Sequence, residues 1–235
     1  MKEKKLLDTY EKRKGFKGSK EKFFILALKK KQFDILDDLL KTGLDSSFRD
    51  FNGRTLLMHV SILGDVELAK KLVINRENVN DVDKLGRNAL FYAAKNGNDD
   101  LVVRLCEWGA DFVYPDKTGK TPLMVAAQSG NTNAVKVLID NGADPDAFDI
   151  RGRIPLMFAA KSGKKDVVEE LFNKTISVNE VDFFGNTVIS HAKRSPNKNT
   201  DVLNTLLKKK ALRQDLGVNY FERSNKRLKT NDLTI

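Results

Sequence analysis

The sequence predicts an all-α solenoid, in which short pairs of helices stack side by side along one axis. An aspartate recurs every 33 residues in five segments, at Asp50, Asp83, Asp116, Asp149 and Asp182. A glycine follows each aspartate by three places, at Gly53, Gly86, Gly119, Gly152 and Gly185. An aliphatic residue follows by seven places, at Leu57, Leu90, Leu123, Leu156 and Ile189. This period is typical of repeats that bury their apolar faces only by stacking on their neighbours.

Each repeat is predicted to begin with a tight turn that leads into a first helix. The aspartate side chain can accept the backbone N–H groups of the turn, and the glycine tolerates the positive φ that such a turn needs. Thr55, Thr121 and Thr187 precede the first helix, where a hydroxyl can cap the free N–H groups. Pro122 and Pro155 stand in its first turn, where no N–H donor is required.

A glycine is predicted to end each first helix, because glycine favours the left-handed conformation that closes a helix. The glycines at this position are Gly64, Gly97, Gly130 and Gly163. A second helix follows, and in the repeat that begins at Asp116 it is predicted over residues 133–141. Its apolar face would be formed by Ala134, Val135, Val137, Leu138 and Ile139.

The segment that opens at Asp116, DKTGKTPLMVAAQSGNTNAVKVLIDNGAD, closely resembles the ankyrin repeat, a β-turn with two antiparallel helices and a T-P-L-H-x-A-like signature. The resemblance covers about residues 20–213. It implies a protein that binds other proteins through a concave face of turns and first helices. The family's histidine after T-P-L is replaced in all units, by Met58, Phe91, Met124, Met157 and Ser190. We therefore expect its hydrogen-bond network to be weaker or replaced by packing.

The departures from the repeat pattern divide the chain into arm, caps and full repeats. Residues 1–19 are predicted to be a basic N-terminal arm and residues 20–49 an N-terminal capping repeat. Four full repeats are predicted at 50–82, 83–115, 116–148 and 149–181. Residues 182–213 form a C-terminal capping repeat, and 214–235 a loose tail. In the C-terminal cap, Leu206-Leu207 replaces the apolar pair Leu171-Phe172 two residues late, so we expect its second helix to be displaced by two residues.

Composition limits the class of protein. The chain has 235 residues, and 42 Lys and Arg against 32 Asp and Glu give a net charge of +10. The hydrophobic content of 40% is enough for a core. No apolar run reaches the roughly 18 residues that span a bilayer, and residues 1–22 have no apolar signal segment. Because Cys106 is the single cysteine, it cannot form an internal disulfide. We expect a cytoplasmic monomer without a membrane span.

Candidate nucleotide and calcium sites are better explained by turn chemistry. Gly119-Lys120-Thr121 has the end of a phosphate-binding loop, but Tyr114 stands where that loop needs its first glycine. Asp144, Asp146 and Asp149 have part of the spacing of a calcium loop, but Phe148 occupies a required ligand position. We therefore expect no cofactor and no metal.

The remaining reactive side chains also favour a non-catalytic protein. His59 and His191 lie four repeats apart, about 35–40 Å at the usual spacing of packed helices. They cannot share a metal or form one acid–base pair, and we expect each to be a helix residue that faces its neighbours. Cys106 aligns with the apolar residues Val73 and Ile139 of the second helices, which indicates a core position. We predict that the chain is not an enzyme.

A column of cations is the leading candidate for a protein-binding surface. The residue after the turn glycine is Arg54, Arg87, Lys120 or Arg153 in the four full repeats. Near the end of the first helix, Lys95 and Lys161 share a second column. Together these six residues, here called the basic ladder, are predicted to bind an acidic or extended polar segment of a partner protein. The alternative is that they form an ordinary solvated face.

Apolar side chains provide a second set of candidate contacts. The turn tips carry Phe51, Leu85, Ile150, Phe183 and Phe184, and Trp108 follows a second helix. Exposed aromatic residues are favoured anchors in protein interfaces, so Trp108, Phe183 and Phe184 are predicted binding residues. The alternative is that the two phenylalanines pack against the C-terminal cap and Trp108 against a neighbouring loop.

The predicted function is a non-catalytic scaffold for protein–protein interaction. One alternative is binding to nucleic acid or an anionic surface, because residues 1–22 hold nine Lys and Arg against four Asp and Glu. No nucleic-acid-reading motif accompanies this charge, so we expect no nucleic-acid partner. A second alternative is an effector delivered into a host cell by a route that needs no signal segment.

Overall fold

The computed structural model describes residues 19–41, 43–45, 47–73, 79–176, 178–196 and 200–215. These ranges contain twelve helices and a single isolated β-bridge, between Val181 and Thr187. In chain order the helices are α1 (Lys20–Lys29), α2 (Phe33–Lys41), α3 (Leu56–Leu63), α4 (Val66–Leu72), α5 (Ala89–Asn96), α6 (Asp99–Glu107), α7 (Pro122–Ser129), α8 (Thr132–Asp140), α9 (Pro155–Ser162), α10 (Lys165–Lys174), α11 (Val188–Lys193) and α12 (Thr200–Asp215). The predicted all-α solenoid is confirmed.

Each of the five turns is tied together by its own aspartate. In the first turn, the N–H of Gly53 donates to the carbonyl of Asp50 at 2.8 Å, and the N–H of Asp50 donates to the carbonyl of Arg54 at 3.0 Å. The Asp50 carboxylate accepts the N–H groups of Asn52 and Arg54 through Oδ1, at 2.8 and 2.9 Å. The same bonds recur in the four later turns.

The predicted helix boundaries agree with the caps in the structure. The hydroxyls of Thr55, Thr121 and Thr187 accept an N–H in the first turn of α3, α7 and α11. Asn88 caps α5 in the same way. No side chain caps α9, where Ile154 precedes Pro155. The glycines that follow the first helices all have left-handed backbone conformations, as predicted, at Gly64, Gly97, Gly130 and Gly163.

The core is a continuous layer between the stacked helices. The first helices α3, α5, α7, α9 and α11 pack side by side, and each also packs on the second helix of its own repeat. The alanine pairs at 93–94, 126–127 and 159–160 are fully buried, which allows the first helices to approach closely. Leu90 and Leu123 are also fully buried, and each such leucine contributes roughly 1.5–3 kcal/mol through removal from water.

Second helices are amphipathic, as the sequence predicts. In α8, Ala134, Val135 and Leu138 are buried, while Val137 and Ile139 are half-buried. The repeats are joined on this side by asparagines at the start of the second helices. Nδ2 of Asn98 donates to the carbonyl of Ser61, and Nδ2 of Asn131 donates to that of Ala94, both at 2.7 Å. Each asparagine thus satisfies a carbonyl at the end of the preceding repeat's first helix.

The two ends of the stack depart from the repeat. At the N-terminal end, Phe24 and Ala27 of α1 are fully buried. At the C-terminal end, Val202 and Leu206 of α12 are buried, whereas Leu207 is exposed. They lie 35 residues after Val167 and Leu171, so the expected two-residue displacement is present. With this displacement, Val202 and Leu206 take the core positions that Thr200 and Asn204 would have in an unshifted repeat.

The predicted basic arm lies outside the described residues except for Ser19. The same is true of the predicted tail, except for residues 214 and 215, which belong to α12. The boundaries of the repeats and caps stay predictions.

Candidate functional site: the face of turns and first helices

Two arginines of the basic ladder are bound to turn aspartates. Arg153 donates Nε and Nη2 to Oδ2 of Asp149 at 2.9 and 2.5 Å, with its guanidinium 4.6 Å from the centroid of the Phe158 ring. Arg87 reaches into the next repeat and donates Nε to Oδ2 of Asp116 at 3.2 Å. Because these guanidiniums compensate buried carboxylates, they help to hold the hairpins as well as contributing positive charge to the face.

The other two cations of this column have neutral partners. Arg54 donates Nε to the hydroxyl of Tyr92 at 2.9 Å and lies over the same ring. Lys120 donates Nζ to the side-chain oxygen of Gln128 at 3.0 Å. Burial, followed by repulsion from Arg153, lowers the pKa of Lys120. All four cations are half-buried, so only part of each is available to a partner.

The second carboxylate oxygen of every turn aspartate has a side-chain partner. The partners of Oδ2, in chain order of the aspartates, are His59, Tyr92, Arg87, Arg153 and His191. Nε2 of His59 lies 3.0 Å from Oδ2 of Asp50, and Nε2 of His191 lies 3.0 Å from Oδ2 of Asp182. Both histidines are buried helix residues, and each binds the turn of its own repeat.

In all five turns a polar side chain binds Oδ2 of the turn aspartate. Four of these bonds stay within one repeat, and the bond from Arg87 to Asp116 joins two repeats. The expectation of a hydrogen-bond network that is weaker or replaced by packing stays a prediction. The sequence signal was present, since His59, Tyr92 and His191 share one column of the repeat.

Burial sets the charge state of the two histidine–aspartate pairs. It is the largest influence on the pKa of His59 and of His191, and it lowers both values against the opposing effect of the aspartates. Burial raises the pKa of Asp182, but hydrogen bonds from Asn186 and His191 outweigh it and bring that pKa to about 2. At neutral pH each pair is therefore a carboxylate with a neutral imidazole.

Several cations of this face are more accessible than the column next to the turn glycines. Lys95 and Lys161 are exposed at the ends of α5 and α9, and within the described residues neither ammonium group has a hydrogen bond or ion pair. Lys84, Lys117 and Arg151 are exposed at the turn tips. Sequence reasoning missed these three, although Lys84 and Lys117 occupy the same column one residue after the turn aspartate.

The predicted aromatic contacts separate into exposed and packed residues. Phe51, Phe183 and Phe184 are 88%, 74% and 72% exposed, and Ile150 is 63% exposed. The two phenylalanines are therefore not covered by the C-terminal cap. Trp108 is half-buried and packs against the core, so only part of its ring faces solvent.

A further apolar row was missed in the sequence. The residue before the turn aspartate is apolar and exposed in the last four of the five turns, at Val82, Pro115, Phe148 and Val181, whereas Arg49 stands there in the first. The four members are 33 residues apart, so the period itself could have revealed the row. This row extends the apolar surface from the turn tips along the first arm of the last four hairpins.

The thiol, the carboxylates and the helices of the described residues bear on other kinds of site. Burial raises the pKa of the half-buried Cys106 thiol to about 11, so it is protonated and unreactive at neutral pH. No cluster of three or more His, Cys, Asp or Glu side chains in the described ranges could hold a metal ion. Asp146, which belongs to the partial calcium-loop spacing, accepts hydrogen bonds from the Thr175 hydroxyl and the N–H of Ile176. Over the same ranges, no helix has the length and apolar character that a bilayer crossing requires.

Comparison with known proteins identifies the repeat. The family model for ankyrin repeats matches the chain three times, over residues 23–116, 57–149 and 113–182. Together the matches extend from residue 23 to residue 182, more than half of the sequence. This chain belongs to the ankyrin repeat family. Ankyrin repeats generally mediate protein–protein interaction and are typically non-catalytic.

One curated relative is a rice protein, the "Probable E3 ubiquitin-protein ligase XBOS33" of Oryza sativa subsp. japonica. It is 40% identical to this ankyrin repeat chain over 72 residues, which is 30% of this chain. The chain covers 14% of the length of that relative. The likeness therefore concerns a short stretch of the two proteins.

Proposed function

We propose that this ankyrin repeat protein is a non-catalytic scaffold that binds an acidic segment of a partner protein along the face of turns and first helices. The observation that carries the proposal is the distribution of charge on that face. From each turn aspartate to the end of the following first helix, in segments 50–63, 83–96, 116–129, 149–162 and 182–193, the acidic residues are the five turn aspartates alone. The carboxylates of these aspartates are hydrogen-bonded within the protein. Exposed cations such as Lys95 and Lys161 are therefore available on this face to a partner's carboxylates.

The basic ladder has two parts in this proposal. Arg54, Arg87, Lys120 and Arg153 hold the hairpins and add to the positive potential. Lys95 and Lys161 extend into solvent and supply direct contacts. Successive layers lie about 10 Å apart, close to the Debye length of about 10 Å at 0.1 M salt. The fields of neighbouring rungs therefore add toward a partner, and binding should weaken as salt is raised.

The rigidity of the stack supports the same function. The turns and helix ends are held by backbone and side-chain hydrogen bonds before any partner arrives. A preformed surface loses little conformational entropy on binding. Phe183 and Phe184 would add apolar contacts at one end of the face, and Trp108 would contribute through the exposed part of its ring.

The test is a pull-down with the full chain, followed by titration of each captured protein against purified variants. The variant Lys95→Glu/Lys161→Glu reverses two exposed charges of the face. Its control, Lys70→Glu/Lys136→Glu, makes the same charge change on the second helices, where both lysines are exposed. We expect the first variant to weaken binding about tenfold or more and to flatten its salt dependence, while the control binds like the unmodified chain.

Two results would overturn the proposal. One is equal affinity of the face variant and the unmodified chain for every captured protein. The other is capture of nucleic acid alone, lost on nuclease treatment and falling steeply with salt. The second result would favour the alternative of nucleic-acid binding.

A further inference from the structure

The tips of the five hairpins form one edge of the proposed binding face, and the chemical character of the side chains changes along this edge. We define the hairpin-tip row as the residue after each turn aspartate, namely Phe51, Lys84, Lys117, Ile150 and Phe183. Its centre is basic, through Lys84 and Lys117, and its C-terminal end is apolar, through Ile150 and Phe183. A partner that covers the centre and the C-terminal end of the row would therefore need different side chains opposite each part.

Backbone hydrogen bonds hold the row in register. The N–H of Lys84 donates to the carbonyl of Asn52 at 2.9 Å, and the N–H of Lys117 donates to that of Leu85 at 2.8 Å. The corresponding bonds of Ile150 and Phe183 measure 3.3 and 2.9 Å. Each hairpin contributes two chain segments, and segments joined in this way lie about 4.8 Å apart. The rungs of the row are therefore about 10 Å apart, in agreement with the spacing of packed helices.

The basic half has charges that no carboxylate neutralises. Lys84 and Lys117 are exposed, and among the described residues neither is paired with an acidic side chain. The Lys84 ammonium lies 4.7 Å from the centroid of the Phe51 ring, a contact that leaves its positive charge in place. The turn aspartates next to them point inward and are hydrogen-bonded. Charge complementarity therefore favours an acidic partner at these two rungs.

The apolar half is exposed yet ordered. Phe183 lies against the preceding turn, since a Cβ at Gly152 would come within 2.8 Å of its ring. The other side of the ring, together with Phe184 and Ile150, remains open to solvent. Contiguous exposed apolar side chains mark interaction sites more often than isolated ones do. A ring already held in place is a suitable anchor, because little side-chain entropy is lost when a partner covers it.

The spacing of the rungs selects the conformation of the occupant. A polyproline II segment has three residues per turn and a rise of 3.1 Å, so residues three apart face the same side about 9 Å apart. A β-strand would place residues three apart on opposite faces. An α-helix would need about seven residues for each rung, because it rises 1.5 Å per residue. Of the three conformations, polyproline II needs the fewest residues to place one side chain opposite each rung on the same side of the segment.

We infer that the hairpin-tip row binds an extended, polyproline II-like segment of the partner protein, with two acidic residues three apart followed by two bulky apolar residues at the same interval. The acidic residues lie over Lys84 and Lys117, and the apolar residues contact Ile150 and Phe183. The segment is about ten residues long, and the same spacing fits the reverse chain direction. This inference rests on the proposed function and specifies the pattern that the partner must carry.

Synthetic peptides test this pattern directly. The dye-labelled peptide Glu-Pro-Ala-Glu-Pro-Ala-Leu-Pro-Ala-Phe and its reversed sequence are titrated with the full chain by fluorescence anisotropy. A control peptide has the same composition, with acidic and apolar residues alternating at the rung positions. We expect one of the two patterned peptides to bind at least about tenfold more tightly than the alternating control.

Two variants locate the peptide on the row. Lys84→Glu/Lys117→Glu and Phe183→Ser/Phe184→Ser should each weaken the patterned peptide about tenfold or more. Lys70→Glu/Lys136→Glu should leave its affinity unchanged. Circular dichroism and urea unfolding check that the variants remain folded. If loss of the Phe183 contact with Gly152 destabilises the chain, the single variant Phe184→Ser is used instead. It leaves that contact intact and should still weaken binding of the patterned peptide.

The inference is overturned if the alternating peptide binds as tightly, if none of the peptides binds, or if the row variants bind like the unmodified chain. Tighter binding of a helical peptide with the same groups seven residues apart would also overturn it. The experiments distinguish failure of this inference from failure of the proposed function. If Lys95→Glu/Lys161→Glu weakens a captured partner while the row variants do not, the scaffold function stands and only the peptide pattern is wrong.

Discussion

The guanidinium of Arg87 crosses the boundary between two repeats and donates Nε to the carboxylate of Asp116 at 3.2 Å. The Asp116 side chain is only 1% exposed, so its charge depends on donors that the protein supplies. Thr118 and Lys120 provide donors from the same turn, and Arg87 is the donor from the preceding repeat. This bond couples the stability of one repeat to a side chain of its neighbour.

We predict that Arg87→Ala lowers the free energy of unfolding by about 1–3 kcal/mol, because it removes a donor from a buried carboxylate. Urea unfolding followed by circular dichroism measures the change. Lys117→Ala is the matched control, since among the described residues that exposed cation has no acidic side-chain partner, and we expect a change below about 0.5 kcal/mol. Equal effects of the two substitutions would show that the contact with Asp116 does not stabilise the stack.

Two turn glycines with the same conformation should differ in their tolerance of alanine. Gly119 has a φ of +75°, and a Cβ there would lie 2.6 Å from the backbone nitrogen of Ile150. Gly185 has a φ of +73°, but a Cβ there would have no neighbour within 4 Å. Gly185→Ala should cost about 1–2 kcal/mol for the left-handed backbone. Gly119→Ala should cost a further 1–3 kcal/mol, because it also forces two hairpins apart.

Thermal unfolding of the two glycine variants, compared with the unmodified chain, measures this difference. The comparison controls for backbone strain, because φ is nearly the same at both sites. A larger loss for Gly185→Ala than for Gly119→Ala would contradict the close stacking of the hairpins.

Stability should fall on mild acidification because of the histidine–aspartate pairs. The pKa of His59 and of His191 is lowered in the folded chain, so the unfolded chain binds more protons once the pH drops to about 6.5. The stability that the two neutral histidines contribute is fully present above about pH 6.5 and is lost as the pH falls toward their folded-state pKa. Urea midpoints between pH 7.5 and 5 should therefore decline.

His59→Gln/His191→Gln is expected to flatten that decline, since glutamine does not titrate in this range. The comparison is between slopes of the midpoint against pH, so a constant loss of stability in the variant does not affect it. An unchanged slope would mean that other groups cause the pH dependence. Below about pH 4, both proteins should lose stability further as Asp182, whose pKa is about 2 in the folded chain, remains charged while its unfolded counterpart takes up protons.

Cys106 should react slowly with alkylating reagents in the folded chain. Its pKa of about 11 leaves little thiolate at pH 7.5, and the thiolate is the nucleophile. Iodoacetamide labelling followed by mass spectrometry should show a rate at least about tenfold lower than in urea-unfolded chain. Equal rates would show that the thiol is not protected by the α6 environment.

Much of the fold follows from the sequence because its signals are local. The aspartate and glycine of each turn lie three residues apart, and the capping threonines and closing glycines act on the helix next to them. The 33-residue period then requires the units to stack, since none can bury its apolar face alone. The shift of the last helix was also readable, because Leu206 stands two residues late.

Only the tertiary structure decided which side chains of the candidate face are free. The cations next to the turn glycines look alike in the sequence, yet Arg87 binds a carboxylate of the next repeat and Arg153 one of its own turn. Trp108 packs against the core, whereas Phe183 is exposed to solvent. The physical reason is that these outcomes depend on the reach of each side chain in three dimensions, since Arg87 meets a carboxylate in the next repeat whereas Arg153 binds one in its own turn. A periodic pattern specifies that the layers stack, but side-chain reach and packing decide which groups satisfy each other and which remain for a partner.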